Sequence, residues 1–214
     1  DQSILLHSES QTIRAKLAVF ASGIHARTGL NPANILHPAR HMMTGIRAYY
    51  RGVKGCHPDN YIELHFLRDF LPGYFWIFPV KDDCANVGVG MDSRRIQKKG
   101  INLRESMLKY IDTVPYLKER FANATMETKI QGYPLPVGMK RKPISGDRFM
   151  LAGDAAGLLD PATGEGMGNA AITGMFAARQ ATECLKRNDC SAEAMQGYDR
   201  LVYNKIWREL STSL

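Results

Sequence analysis

Alternating apolar and polar positions in the middle of the chain predict a β-sheet. Four segments alternate in this way, at 44–50, 61–67, 74–80 and 85–91, and the short turns between them, as at 81–83, predict antiparallel pairing. In the second segment Ile62, Leu64 and Phe66 share one face, while Glu63 and His65 lie on the other. This pattern is typical of a sheet that is covered on one side.

The spacing of apolar residues elsewhere in the chain predicts the remaining helices and strands. Apolar residues recur at helical spacing over 103–112, Pro115 begins a second short helix that ends at Phe121, and 192 to beyond Trp207 predicts a third. Strands are predicted at 4–6 and 13–20, with a long irregular strand over 123–137. The basic runs at 94–99 and 140–142 are predicted to be solvated loops.

The apolar run 149–152 predicts a buried strand that ends at Gly153 and Asp154. A segment rich in small residues follows this strand. Glycines then surround the start of a predicted helix, whose nearly bare face comprises Gly166, Ala170, Gly174, Ala177, Ala178 and Ala181. The start of a helix favours an anionic group, and a carboxylate at a strand end can accept hydrogen bonds from sugar hydroxyls. We therefore expect a polar, anionic cofactor here, although each feature alone also fits a strand, a turn and an ordinary core helix.

Composition excludes several classes of function. The 214 residues are 44% hydrophobic, enough for a buried core in one large or two smaller domains. The net charge of +7 is spread along the chain without a nucleic-acid motif. Four cysteines show no paired spacing, which indicates a reducing compartment. His37 and His41 lack a metal motif, because Pro38 argues against a helix between them. No apolar run is long enough to predict a membrane span.

Three stretches resemble known flavoproteins. Residues 148–167 resemble the second FAD-binding motif of the p-hydroxybenzoate hydroxylase-like fold, and within that fold they are most similar to the geranylgeranyl reductase family. Residues 74–79 with 86–90 resemble that family's strand pair in the substrate domain. Residues 19–27 resemble its middle motif, with Ser22 in place of the usual Asp and with Gly23 and Arg27 in register.

The resemblance implies an α/β fold. A partial FAD-binding Rossmann-like domain at 1–41 and 141–214 would be interrupted by an α+β substrate domain with an antiparallel sheet at 42–140. It implies that Asp154 holds the FAD ribityl hydroxyls and that the start of the following helix lies near the flavin. The implied cofactor contacts are Gly23, Arg27, Gly153, Asp154, Pro161, Gly164, Glu165, Gly166 and Met167. The substrate wall would comprise Tyr74, Trp76 and Phe78, although an aromatic stripe also fits a plain core. Gly88 and Gly90 predict vacant space on one side of their strand, for a ligand or for a neighbouring backbone.

The implied activity is an FAD-dependent oxidoreductase that reduces carbon–carbon double bonds of a prenyl chain. NAD(P)H, another reductant or an electron-donor protein would supply electrons, and the substrate would be a prenylated small molecule or lipid. Because the flavin carries the redox chemistry, we assign no catalytic acid or base and expect no metal. We expect a cytoplasmic protein with at most peripheral membrane contact. The alternatives are a flavin monooxygenase of the same fold and a non-enzymatic lipid-binding or assembly module.

Members of the resembled family begin with a Gly-x-Gly-x-x-Gly turn that holds the FAD pyrophosphate, and these 214 residues contain no such motif. We therefore expect the chain to be the C-terminal part of a longer protein. By itself it should be inactive and bind FAD weakly.

Overall fold

A computed structural model describes residues 3–23, 42–138 and 140–212. Contacts divide the chain into two compact units. The sheet unit is Met42–Leu135, and the split unit comprises Asp1–His41 and Pro136–Leu214. In chain order the described strands and helices are β1 (Ile4–His7), β2 (Thr12–Ala15), β3 (Ala18–Phe20), β4 (Met42–Arg51), β5 (Glu63–His65), β6 (Gly73–Pro79), β7 (Cys84–Asp92), α1 (Ser93–Lys99), α2 (Leu103–Thr113), α3 (Pro115–Phe121), β8 (Thr125–Met126), β9 (Gln131–Pro136), β10 (Ser145–Gly146), β11 (Phe149–Leu151), α4 (Met167–Arg187) and α5 (Ala192–Thr212).

The sheet unit contains a mostly antiparallel sheet in the order β5-β6-β7-β4-β8, and β9 also pairs with β4. One face carries the core, in which Phe75, Ile77 and Val89 of the strands are buried with Met107 of α2 and Leu117 of α3. These apolar side chains alternate along their strands, so the opposite face is free of this core. The predicted antiparallel sheet is therefore confirmed.

The edge strand β5 is shorter than predicted, and its contacts identify which of its two faces is covered. Only Glu63–His65 is regular, and the apolar side chains of Ile62 and Phe66 are 65% and 67% exposed. The side facing the helices is the polar one, because Arg120 of α3 binds Glu63 and Tyr116 of α3 binds His65. Alternation thus located the two faces correctly but did not show which one is covered.

Three further elements differ from the sequence predictions. The basic run at 94–99 lies in a helix, α1, in which Asp92 accepts a hydrogen bond from the Arg95 amide and Gly100 adopts a left-handed conformation. The predicted strand at 13–20 breaks after Ala15, because β2 pairs with β1 whereas β3 pairs with β11. The predicted strand at 123–137 is two strands, β8 and β9.

The split unit is built on a short sheet of order β10-β11-β3, in which β11 and β3 run parallel. Helix α5 packs against this sheet and against α4. Met150 and Leu151 of β11 are fully buried with Tyr198 and Val202 of α5, and the Tyr198 hydroxyl donates to the Leu151 carbonyl at 2.6 Å. This core fixes the end of β11, from which the small-residue segment continues.

Among the helices that the structure describes, none combines the length and the apolar character needed to cross a bilayer.

Candidate functional site

A cavity of about 430 Å³ in the split unit lies at the ends of the parallel strands and the start of α4. Its lining comes from the strand ends, the glycine-rich loop and the first two turns of α4: Val19, Ala21, Gly23, Ala152, Gly153, Asp154, Leu159, Gly164, Gly166, Met167, Ala170 and Gly174. The volume lies in the range of roughly 300–1,000 Å³ that is typical of small-molecule sites. The strand ends of a parallel pair are also where ligands bind in open α/β sheets.

Gly153 makes the turn at the end of β11 and ties it to α4. It has a φ of +60°, and a Cβ there would lie 3.0 Å from the Ala170 Cβ, so any larger residue would be strained and crowded. Its amide donates at 3.0 Å to the hydroxyl of the fully buried Thr173. The same hydroxyl donates to the Asn169 carbonyl at 2.7 Å. The start of α4 is therefore held close to the strand end.

Asp154 presents a half-buried carboxylate at the edge of the cavity. Burial raises the pKa of Asp154, because the charged form loses solvation. Within the described part of the chain no hydrogen bond reaches this carboxylate. Its oxygens line the cavity and are open to donors from solvent or from a ligand.

The loop before α4 is stabilised by its own side chains. The Asp160 carboxylate accepts hydrogen bonds from the amides of Ala162 and Thr163 at 3.0 and 2.7 Å. The Glu165 carboxylate accepts from the Gly168 amide at 2.8 Å and so caps the first turn of α4. One of the amides at this helix start is therefore already bonded within the protein.

Gly166 precedes α4 directly beside the Asp154 carboxylate. A Cβ at this position would lie 3.0 Å from Leu159 Cδ1 and 3.1 Å from Asp154 Oδ1. Glycine therefore leaves room for the carboxylate and keeps its oxygen accessible.

The structure brings most of the predicted cofactor contacts to this one cavity. Its lining includes Gly23, Gly153, Asp154, Gly164, Gly166 and Met167. Pro161 and Glu165 belong to the adjoining loop and do not line the cavity, and Arg27 lies outside the described residues. His37 and His41 also lie outside them.

These residues fit the FAD that the sequence resemblance implies. An accessible carboxylate with no hydrogen-bond donor among the described residues suits the hydroxyls of a ribityl chain. The backbone around Gly153 and Gly166 carries no side chain, so a flat ring can approach it closely.

A second set of predicted residues lies on β6 in the sheet unit. Phe75 and Ile77 point into the core, whereas Tyr74, Trp76 and Phe78 alternate with them and lie half-buried on the opposite face. The three rings form a row with centroids 5.9 Å apart from one to the next. The row continues to Phe66 next to β5, 6.2 Å from Tyr74. We call this apolar surface the aromatic row.

The vacant space predicted over Gly88 and Gly90 is not there. Gly88 pairs with Trp76 across β6 and β7, and the Trp76 indole lies directly over it, so that a Cβ on Gly88 would be 2.3 Å from Trp76 Cζ2. The same ring covers Gly90 at 3.5 Å from a Cβ built there. The glycines thus make room for a side chain of the protein itself.

Sequence reasoning missed two polar residues that hold the first cavity together. Thr173 is described above, and the Asn169 side-chain amide donates at 2.8 Å to the Leu158 carbonyl. Their signal in the sequence was a polar residue inside an otherwise small and apolar helix segment. Such a residue needs a partner when the helix is packed.

Comparison with known proteins shows similarity to reductases of geranylgeranyl chains. Residues 42–131 match the family model of the geranylgeranyl reductase catalytic domain. A digeranylgeranylglycerophospholipid reductase of Methanoculleus marisnigri is 32% identical over 195 residues, which is 87% of this chain and 45% of the relative.

Solved structures share the fold. A geranylgeranyl bacteriochlorophyll reductase-like protein from Thermoplasma acidophilum superposes with a TM-score of 0.81 at 29% identity, covering 94% of this chain and 49% of that one. The myxobacterial chondrochloren halogenase, an FAD-dependent halogenase, gives a TM-score of 0.76 at 20% identity, covering 98% and 49%. At that identity the likeness concerns the fold alone.

The chain spans about half the length of the curated relatives it matches. The family match covers nearly all of the sheet unit, and the relatives align with both units. Over the residues that it spans, the chain is therefore similar in sequence and in fold to proteins of the geranylgeranyl reductase family.

Proposed function

We propose that the protein is an FAD-dependent oxidoreductase that reduces carbon–carbon double bonds in the geranylgeranyl chains of a lipid. The observation that carries this proposal is the match of residues 42–131 to the catalytic domain of geranylgeranyl reductases. Those residues include the aromatic row, an apolar surface suited to a hydrocarbon chain. The names of the relatives, which are reductases of digeranylgeranylglycerophospholipids, agree with it.

FAD would be held in the cavity of the split unit and, when bound, would supply the hydride chemistry. Asp154 would accept hydrogen bonds from the ribityl hydroxyls, and Gly153 and Gly166 would let the ring approach the backbone. Gly23, Gly164 and Met167 would complete the contact surface. Pro161 and Glu165 would act indirectly, because they shape and cap the loop that precedes α4.

The aromatic row would bind the prenyl chain and exclude water from it. Tyr74, Trp76 and Phe78 offer flat apolar surfaces with little conformational freedom to lose on binding. A double bond held there would be shielded from solvent, which favours reduction over side reactions. We assign no side chain as a proton donor.

The reductant, the partners and the location of the protein follow from the same proposal. NAD(P)H or an electron-donor protein would reduce the flavin. A lipid substrate would require at most a peripheral contact with the cytoplasmic surface of a membrane.

A flavin monooxygenase is the rival within the same fold. The halogenase structures share that fold with the chain at low identity, whereas the reductases match in sequence as well. A non-enzymatic lipid-binding module would keep the aromatic row but would need no cofactor site.

The flavin spectrum of the protein expressed from its complete gene tests the proposal. We expect the oxidised flavin bands to bleach under anaerobic reduction with dithionite or NADPH. They should return when a digeranylgeranylglycerophospholipid is added and should not return with its fully saturated analogue. A purified protein that contains no flavin but binds the lipid would favour the lipid-binding module. Rapid reoxidation of the reduced flavin by oxygen, with incorporation of oxygen into a product, would favour the monooxygenase.

A further inference from the structure

Three glycines of the sheet unit form a floor beneath the Trp76 indole. Gly88 and Gly90 of β7 and Gly45 of β4 lie on one face, since Gly45 pairs with Gly90 and Gly90 pairs with Tyr74. A Cβ built on each would lie 2.3, 3.5 and 3.7 Å from the indole ring, in the order Gly88, Gly90 and Gly45. The ring therefore extends from its own strand β6 over β7 towards the edge of β4, where Leu135 Cδ1 lies 3.4 Å from a Cβ built on Gly45.

Position 88, at the centre of this floor, requires glycine. A Cβ on Gly88 would meet the Ile46 carbonyl oxygen at 2.3 Å as well as the indole. Even alanine would thus collide with the backbone of the neighbouring strand. Glycine in a central strand costs stability, and here it makes room for the indole.

Asn86 fixes the orientation of the ring. Its side-chain oxygen accepts a hydrogen bond from Trp76 Nε1 at 2.9 Å. Asn86 pairs with Phe78 across the two strands, and the Phe78 ring stacks on the indole with 26° between the planes. The indole is thus held by the floor below, by Asn86 at its polar edge and by Phe78 beside it.

We propose that Trp76 determines the substrate specificity of this face and that Asn86 is its positioning residue. The proposal rests on the function proposed above and concerns the shape of the ligand. Because the indole fills the space over the floor, the aromatic row offers a shallow surface that accepts a slender, open hydrocarbon chain. Truncation of the ring would open a trough across β7 and β4 that accepts a ring-bearing isoprenoid.

Binding of two isoprenoid alcohols of equal carbon number tests the claim. Geranylgeraniol is open along its whole length, whereas retinol ends in a substituted ring. Their dissociation constants would be measured by equilibrium dialysis with the protein expressed from its complete gene, as wild type and as the variants Trp76→Phe and Trp76→Ala. Trp207→Phe in α5 of the split unit is the matched control.

Wild type and Trp207→Phe should prefer geranylgeraniol. Trp76→Ala should shift the ratio of the two constants towards retinol by about tenfold or more, the scale on which pocket shape discriminates, with Trp76→Phe between them. An unchanged ratio in Trp76→Ala would overturn the specificity role while leaving the reductase function intact. If wild type bound neither alcohol, this inference would fall, whereas the proposed function would stand or fall with the reduction of the lipid itself.

The role of Asn86 has a separate readout that needs no ligand. In protein labelled with fluorotryptophan, the Trp76 fluorine resonance is the one lost in Trp76→Phe. In Asn86→Ala we expect this resonance to shift and broaden and the selectivity for geranylgeraniol to fall. Asn86→Asp retains an acceptor oxygen, so we expect the resonance and the selectivity to return largely to their wild-type values. An unchanged resonance and unchanged selectivity in Asn86→Ala would contradict the positioning role of Asn86.

Discussion

At the scale of single residues, the candidate cofactor site depends on a carboxylate that the described chain leaves without a donor. Asp154 is half-buried, and burial raises its pKa. Thr173 and Gly153 hold the strand end against α4, so the backbone that carries the carboxylate is held in place before any ligand arrives. A backbone that is already ordered loses little entropy when a ligand binds to its side chain.

Asp154→Ala should lower the affinity for FAD by roughly 1.5–3 kcal/mol, because it removes a charged hydrogen-bond acceptor. Titration of the apo-protein with FAD, followed by flavin fluorescence, measures the change. Asp147→Ala is the control, since its side chain is 70% exposed and belongs to the same unit. Wild-type affinity in Asp154→Ala would show that another group holds the cofactor.

The affinity for FAD should also depend on pH through Asp154. In the free protein burial raises the pKa of this carboxyl, whereas hydroxyl donors in the complex would favour its charged form and lower the pKa. Binding then releases a proton, so affinity should fall as the pH drops through the raised pKa. The same titration at decreasing pH would show a steeper loss in wild type than in Asp154→Asn, and parallel curves would refute the assignment.

At the scale of elements, the edge strand β5 is held to the sheet unit by polar contacts from α3. Arg120 Nη2 donates to Glu63 Oε1 at 2.8 Å, and Arg120 Nε donates to the Lys54 carbonyl at 2.7 Å. The hydrogen bond from Arg120 holds the pKa of Glu63 below its usual value. The side chains of Arg120 and Glu63 are only 15% and 23% exposed, so the pair is largely desolvated.

Arg120→Met should therefore lower the free energy of unfolding by about 2–4 kcal/mol, because it leaves a largely buried carboxylate without its partner. Urea denaturation followed by circular dichroism measures the difference. The matched control is Arg94→Met, whose partner Asp92 lies 3.2 Å away but whose own side chain is 60% exposed, and it should change little. Equal effects of the two substitutions would contradict a special role for Arg120.

Most elements could be predicted from local pattern, but their partners could not. The bounds of α3 and the positions of the four central strands follow from capping, proline and alternation, which are properties of neighbouring residues, although β5 is shorter than predicted. The covered side of β5 was not predictable in this way, because Glu63 and His65 form hydrogen bonds with residues more than 50 positions away. The break between β2 and β3 has the same origin, since β3 pairs with the distant strand β11.

The candidate site was predictable to a different degree in each unit. The motif at 148–167 combines a strand end, a carboxylate and glycines within 20 residues, so its geometry is mostly local. Trp76 and Gly88 were both singled out from the sequence, yet their contact depends on the register of β6 and β7. A vacant strip and a filled one therefore look the same in the sequence.

At the scale of the whole molecule, the family resemblance carried by residues 148–167 is confirmed by matches that cover both units. The split unit contributes a cavity with an accessible carboxylate, and the sheet unit contributes an apolar aromatic surface. These are the two kinds of site that an FAD-dependent prenyl reductase needs. The fold alone would not separate a reductase from a halogenase, because both share it.

The mass of the lipid after turnover tests the central claim most directly. The flavin-loaded protein, expressed from its complete gene, would be incubated without oxygen with a reductant and a digeranylgeranylglycerophospholipid, and the lipid would be analysed by mass spectrometry. We predict that the lipid gains two hydrogens for each double bond reduced, and that boiled protein leaves it unchanged. A lipid of unchanged mass in the presence of reduced, protein-bound flavin would contradict the account, as would a product that has gained oxygen when air is admitted.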